Sequence, residues 1–196
     1  MIILNIYVYD KKMHLVKLEN NTKKEIFDQV ALLHKKSLKK TIASTLSVSS
    51  LSNVYFILVR SGIFGILIAQ EDSKVVGVLS YKNKNKKYST KVLLTLVIYS
   101  INGFFKNPKV WIIETYYKIG LYKDVNSKIN IVTLFVSEQF QKKLVGKTLI
   151  ERVKNEFKTN ITVDTRVKNA AALDFYKKNN FKEIARNSKN VVLKYN

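Results

Sequence analysis

The chain has 196 residues, 46% of them hydrophobic and 25% charged, with 35 Lys and Arg against 14 Asp and Glu for a formal net charge of +21. That balance describes a folding sequence of ordinary globular make-up, and the length favours one domain over 1–196. The absence of cysteine excludes disulfides, thiolate metal sites and cysteine nucleophiles, and two histidines are too few for most zinc sites, so no metal is expected.

The first twelve residues, MIILNIYVYDKK, lack the small-residue cleavage site of a signal peptide, which implies no export and a cytoplasmic protein. With Met13 as an alternative start, this stretch reads as an extension or as an additional edge strand. Residues 14–18 alternate apolar and polar, as a half-buried strand does, and Thr22 with Glu25 forms a capping-box pattern at the start of a helix. Ile26, Val30, Leu33 and Ser37 or Leu38 then recur at helical spacing, leaving Lys23, Lys24, Lys35 and Lys36 to solvent. A serine-rich connector leads to a second helix over 52–60. The apolar runs 65–70 and 74–81, separated by Glu71, Asp72 and Ser73, read as a β-hairpin.

Residues 82–91 are rich in Lys and Asn and read as a solvated loop. The uncharged apolar run 92–105 is shorter than the roughly 20 residues of a bilayer span and reads as a buried or interfacial helix. Asn107 followed by Pro108 is a good helix start, predicting a helix over 108–118. The most strand-like stretch is 129–136, followed by a helix over 147–157 and a strand over 161–165. A further helix over 169–178 ends near Asn180, a residue suited to a left-handed turn, and strands 182–185 and 191–195 close the chain. The alternation predicts a mixed α/β layer structure with no repeat and no linker.

The charge would attract any phosphate-bearing molecule, whether a nucleotide cofactor, a nucleic acid or an anionic membrane. Its lysines run from Lys11 to Lys194 without the aromatic or glycine motifs of RNA-binding modules, so compositional bias accounts for them better than nucleic-acid binding does.

The segment TLFVSEQFQKKLVGKTLIERV, residues 133–153, carries the clearest chemistry. It is a strand, a short polar loop and an amphipathic helix, so the amides of 141–147 would point outward at a helix start whose dipole favours phosphate. Lys142, Lys143 and Lys147 add positive charge. Taken alone, the segment is equally compatible with an ordinary strand-loop-helix connection bearing solvated lysines.

These residues resemble the acyl-CoA-binding motif of the GNAT acetyltransferases: Gln or Arg, two residues, Gly, one residue, then Gly or Ala. Gln141, Leu144 and Gly146 stand at those places. Leu134 and Val136 match the family strand whose bulged backbone hydrogen-bonds the pantetheine arm. Downstream, NAAALDFYKKNNF matches the second family motif through Asn169, Ala172, Tyr176 and Phe181, and AQEDSKVVGVLSY looks like the second and third strands, with Gly77 in its usual place.

The resemblance implies an α/β (α+β) GNAT-like fold: a mixed, mostly antiparallel sheet of about seven strands flanked by helices. A helical insertion over about 82–127, between the third and fourth strands, would carry acceptor specificity. It further implies an N-acetyltransferase that moves an acetyl group from acetyl-CoA to a primary amine. The cofactor would be held by Leu134, Val136, Gln141, Lys142, Lys143, Leu144, Val145, Gly146, Lys147 and Asn169, and Tyr176 would give a proton to the leaving thiolate. Two residues depart from the pattern: Leu144 and Asn180 replace the usual glycines. Leu144 is expected to hold a helical conformation with its side chain turned away, which leaves the amides open. Glu71, Glu114 and His34 are candidate general bases, with none assigned.

The first acceptor to expect is a small-molecule amine, with an amino-sugar nucleotide of surface polysaccharide synthesis as the leading class. Two alternatives remain: a protein or peptide amine, and a noncatalytic basic module that contacts nucleic acid or, through the 92–105 helix, an anionic membrane at its periphery.

Overall fold

A computed structural model describes residues 3–8, 11–39, 41–118 and 127–196. Eight strands form one open sheet in the order β1-β2-β3-β4-β5-β6-β8-β7. They are β1 (Ile3–Val8), β2 (Lys11–Lys17), β3 (Phe64–Glu71), β4 (Lys74–Asn83), β5 (Ile129–Val136), β6 (Ile161–Arg166), β7 (Lys182–Arg186) and β8 (Asn190–Tyr195). Every neighbouring pair is antiparallel except β5 and β6. The seven strands expected from the family pattern are β2 to β8. The N-terminal stretch adds β1 at the edge, its backbone paired along β2 from Ile3 opposite Val16 to Val8 opposite Lys11.

The period-2 alternation of the strands sorts their side chains onto two cores. Leu67, Ala69 and Leu79 join Leu15 and Ile131 beneath α6 (Val145–Phe157), where Leu149, Ile150 and Val153 are buried. Ile66, Ile68, Val78 and Phe135 face the other way, against α1 (Lys24–Ser37) and α3 (Val48–Arg60), with Phe27, Val30 and Leu51. The β3–β4 hairpin turns at Asp72 and Ser73, both with positive φ, and Gln29 of α1 accepts the Val75 amide at 2.9 Å.

Two expectations are corrected and one open alternative is narrowed. Thr22 does not cap α1: the helix starts at Lys24 behind Lys23, and the Thr22 hydroxyl accepts the Glu19 amide of the preceding turn at 2.8 Å. The serine-rich connector is itself structured, since Thr41 and Ser44 cap each other across α2 (Ile42–Thr45) and Ser47 caps α3. The apolar run becomes α4 (Thr90–Lys106), but it is not a buried helix: Leu94, Val97, Ile98 and Phe105 are 59–74% exposed. After it, α5 (Pro108–Lys118) begins where Asn107 and Pro108 place it, with Asn107 Oδ1 accepting the Val110 amide.

Candidate functional site

The parallel pair β5 and β6 stays in register only from Ile129, Asn130 and Ile131 opposite Ile161, Thr162 and Val163. Beyond these positions β5 remains bound to β4 as far as Val136 opposite Gly77, so the sheet opens between β5 and β6. The Ser137 amide donates to the Val76 carbonyl of β4 at 2.8 Å. By the alternation of an antiparallel ladder, Leu134 and Val136 then turn their N–H and C=O groups toward the opening. Gln141 confirms that direction for one carbonyl, since its Nε2 donates to Val136 O at 3.3 Å.

A 3-10 turn over Glu138–Phe140 carries the chain from β5 into α6. Lys142 and Leu144 both adopt left-handed backbone, at φ 62 and 60. Leu144 is the N-cap of α6, and no side chain caps that helix. The first amides of an α-helix have no partner within it, so α6 presents uncapped N–H groups together with the positive end of its dipole. Here the sequence expectation fails, because Leu144 is left-handed and not helical. The tight entry demands a positive φ that glycine adopts freely and that costs a leucine about 1–2 kcal/mol. Its side chain is 57% exposed.

Val145 is buried, and its side chain fills the space over Gly77, where a Cβ would stand 2.7 Å from Val145 Cγ1. Only its backbone can meet a ligand. Gly146 leaves a tight gap: a Cβ there would lie 3.3 Å from Phe175 Cζ and 3.9 Å from Leu134 Cδ2. Leu134, Gly146 and Phe175, from β5, α6 and α7 (Ala170–Lys178), therefore converge beside the opening. Phe175 was missed as a site residue, and the only signal for it was a second aromatic next to Tyr176. Lys142, Lys143 and Lys147 are exposed around the same helix start.

Asn169 is the N-cap of α7, its Oδ1 accepting the Ala172 amide at 3.2 Å. Asn180 takes the left-handed turn after that helix, at φ 62. Tyr176 is buried, with its ring edge-on to Phe175 and Phe181. Burial and the nearby Asp164 charge push its phenol above the ordinary tyrosine range, so it stays protonated at neutral pH.

The candidate bases lie apart. His34 sits on the α1 side, with Nδ1 sharing a 2.5 Å hydrogen bond with the Tyr55 hydroxyl and its ring edge-on to Phe135. Burial and the neighbouring Lys35 push its pKa down to about 4. Tyr55 continues to Thr133, whose hydroxyl lies 2.6 Å from Ser80 Oγ, so His34 ends a buried polar chain that reaches β5 next to Leu134. Glu114 of α5 pairs with Arg166 at the end of β6, which ties the inserted helices to the rim of the opening. Glu71 ends β3 at the hairpin.

A cleft of about 580 Å³ lies at the other end of the sheet and includes Lys17, Gly65, Tyr81, Asn83 and Phe157. Asn83 pairs there with the first residue of β5, remote from Val136 at its last. No group of three or more His, Cys, Asp or Glu among the described residues could hold a metal ion.

Residues 48–181 match the family model described as Acetyltransferase (GNAT) family. No curated protein sequence matches the chain. Among solved structures, the fold is similar to PaiA N-acetyltransferase from Thermoplasma acidophilum in complex with coenzyme A, at TM-score 0.55 and 17% identity over 93% of this chain and 97% of that one. It is also similar to Arabidopsis thaliana NAA60 in complex with acetyl-CoA, at TM-score 0.56 and 12% identity over 93% and 97%. The ribosomal-protein-S18-alanine N-acetyltransferase from Escherichia coli aligns at TM-score 0.54 and 10% identity over 92% of each chain.

Proposed function

Because the chain belongs to the GNAT acetyltransferase family and acetyl-CoA is its acyl donor, we propose that the β5–β6 opening and the uncapped start of α6 are its cofactor site. The observation that carries this reading is the juxtaposition of two backbone surfaces: the edge of β5 at Leu134 and Val136, where β6 no longer pairs, and the amides of 142–147 at the uncapped helix start. A pantetheine arm, with its amides, suits the first, and a pyrophosphate suits the second. Gly146 supplies close approach of backbone, Lys142, Lys143 and Lys147 add charge, and Asn169 has its side-chain nitrogen left to donate. Leu144 contributes its amide from a left-handed turn, with its side chain held outside.

Bound there, acetyl-CoA supplies a thioester whose carbonyl carbon an unprotonated amine attacks. The residues of this chain orient the carbonyl along the β5 edge and keep water from it with Leu134 and Phe175. Attack forms the C–N bond and breaks the C–S bond, the amine nitrogen gives up its proton to solvent, and Tyr176, protonated at neutral pH, donates through its hydroxyl to the departing thiolate and regains any proton it yields from solvent. The acceptor is a primary amine of a small molecule, and nucleotide-linked amino sugars come first because α4 and α5 lengthen the acceptor side between β4 and β5. A peptide or protein amine is the second reading, supported by the S18-alanine acetyltransferase among proteins of similar fold.

The test is release of free CoA thiol from acetyl-CoA across a panel of amino-sugar nucleotides, polyamines and peptides with free N-termini. Activity on one class and not the others assigns the acceptor. With that acceptor, Tyr176→Phe should lower kcat by roughly 10²-fold while leaving acetyl-CoA affinity unchanged. A variant that turns over at the wild-type rate would leave Tyr176 as a packing residue only.

A further inference from the structure

Helix α4 leaves its more apolar side uncovered. Its inner side, against α2 and α3, is mixed and carries Val92, Thr95, Leu96, Tyr99, Ser100 and the buried Gly103, where a Cβ would meet Leu46 and Thr45. Its outer side carries Leu93, Leu94, Val97, Ile98, Ile101, Phe104 and Phe105, each 41–74% exposed. At 3.6 residues per turn these seven side chains fall within an arc of about 140° that holds no charged residue. Phe104 stacks edge-on to Trp111, and Ile112 and Ile113 extend the patch onto α5 at 66% and 41% exposure. Nine large apolar side chains, each 41–74% exposed, are grouped on these two helices, and grouped exposed apolar side chains of this kind mark an interaction surface.

The charge around it narrows the choice. Residues 82–113 hold seven lysines and no Asp or Glu, with Lys84, Lys86, Lys87 and Lys91 at one end of the helix and Lys106 and Lys109 at the other. A second copy of the chain meeting this face through a two-fold axis would bring like-charged ends together, which opposes self-association. An anionic lipid surface answers both features: it takes up the apolar stripe at the depth of the acyl boundary and attracts the flanking lysines. No helix among the described residues is long and apolar enough to cross a membrane, so the contact is with one leaflet.

We propose that the outer face of α4, continued by Ile112 and Ile113, docks the protein onto the surface of an anionic phospholipid bilayer. The inference does not depend on the cofactor assignment. Co-sedimentation of the full chain with vesicles of pure phosphatidylcholine, and of phosphatidylcholine with 30% (about one third) phosphatidylglycerol, tests it. The expected result is binding to the anionic vesicles at least about ten-fold stronger than to neutral ones and weakened by salt. The single Trp111, beside Phe104, should shift its fluorescence to the blue on binding. The double variant Leu94→Glu with Ile98→Glu alters only exposed positions. It should keep the wild-type circular dichroism and melting temperature and lose vesicle binding at least about ten-fold. Three results would overturn the proposal: no binding to either vesicle, binding that the double variant leaves intact, or a wild-type dimer in light scattering that the double variant dissociates.

Discussion

Replacing Gly146 by Asp separates cofactor binding from folding, because it should weaken the first strongly and change the second little. Gly146 is the second residue of α6, in the turn whose amides have no internal partner. A carboxylate there meets the positive end of the helix dipole, worth about 0.3–1 kcal/mol, and removes part of the roughly 1 kcal/mol by which glycine weakens a helix. Against this, the new Cβ stands 3.3 Å from Phe175 Cζ, so the ring must give by a few tenths of an ångström. Net stability should stay within about 1 kcal/mol of wild type. A pyrophosphate on the same amides would face that carboxylate at contact distance. The repulsion is about 1 kcal/mol per charge pair in water and about 4 kcal/mol at the effective dielectric of a protein surface. The acetyl-CoA Kd should therefore rise between about 5-fold and 10³-fold. Calorimetric titration gives the Kd and a thermal melt the stability, and Gly146→Asn, of equal size and no charge, should lose less affinity. An unchanged Kd in a folded Gly146→Asp protein would refute the placement of the pyrophosphate.

Leu144→Gly relieves the left-handed strain and should raise the melting temperature by a few degrees, at about 2–4 °C per kcal/mol for this size, without loss of acetyl-CoA affinity; a lower melting temperature would contradict the conformation. Asn169→Ala removes the cap of α7 and should cost about 1 kcal/mol in urea unfolding together with a several-fold rise in the acetyl-CoA Kd, whereas Asn169→Ser should restore the stability but not the affinity. His34 titrates near pH 6.5 when unfolded but only near 4 when folded, so the unfolded chain holds the extra proton between those values and stability falls as pH falls. Between pH 7 and pH 4.5 this contributes a loss of about 2–3 kcal/mol, and His34→Gln should lose that much less than wild type in paired urea titrations.

Local signals in the sequence were legible where one residue type settles one conformation. Pro108 and Asn180 stand where predicted, and 129–136 is a strand because its β-branched and apolar residues pack on both faces of the sheet. The Thr22 pattern misled because Thr22 and Glu25 satisfy a spacing rule, while the Glu19 amide competes for the same hydroxyl. The uncharged 92–105 run read as a buried or interfacial helix, but which side would be covered depends on α2 and α3, distant in sequence, and they cover the side of Val92, Thr95, Leu96, Tyr99 and Gly103. For the candidate site, the resemblance to the GNAT motif pointed to Gln141, Leu144 and Gly146. The opening itself was invisible, because it arises from where the pairing of β5 with β6 stops, a contact between residues some thirty apart. Leu144 is the instructive case: the motif marks a place that needs glycine, and the chain keeps the left-handed backbone with a leucine in it.

The central claim, that acetyl-CoA lies in the β5–β6 opening with its pyrophosphate on the start of α6, is tested most directly by a crystal structure of the complex. The account predicts phosphate oxygens within hydrogen-bonding distance of the amides of 142–147, with the pantetheine alongside Leu134 and Val136. A cofactor found instead in the cleft of Lys17, Gly65, Tyr81 and Phe157, or with its phosphates away from α6, would contradict it.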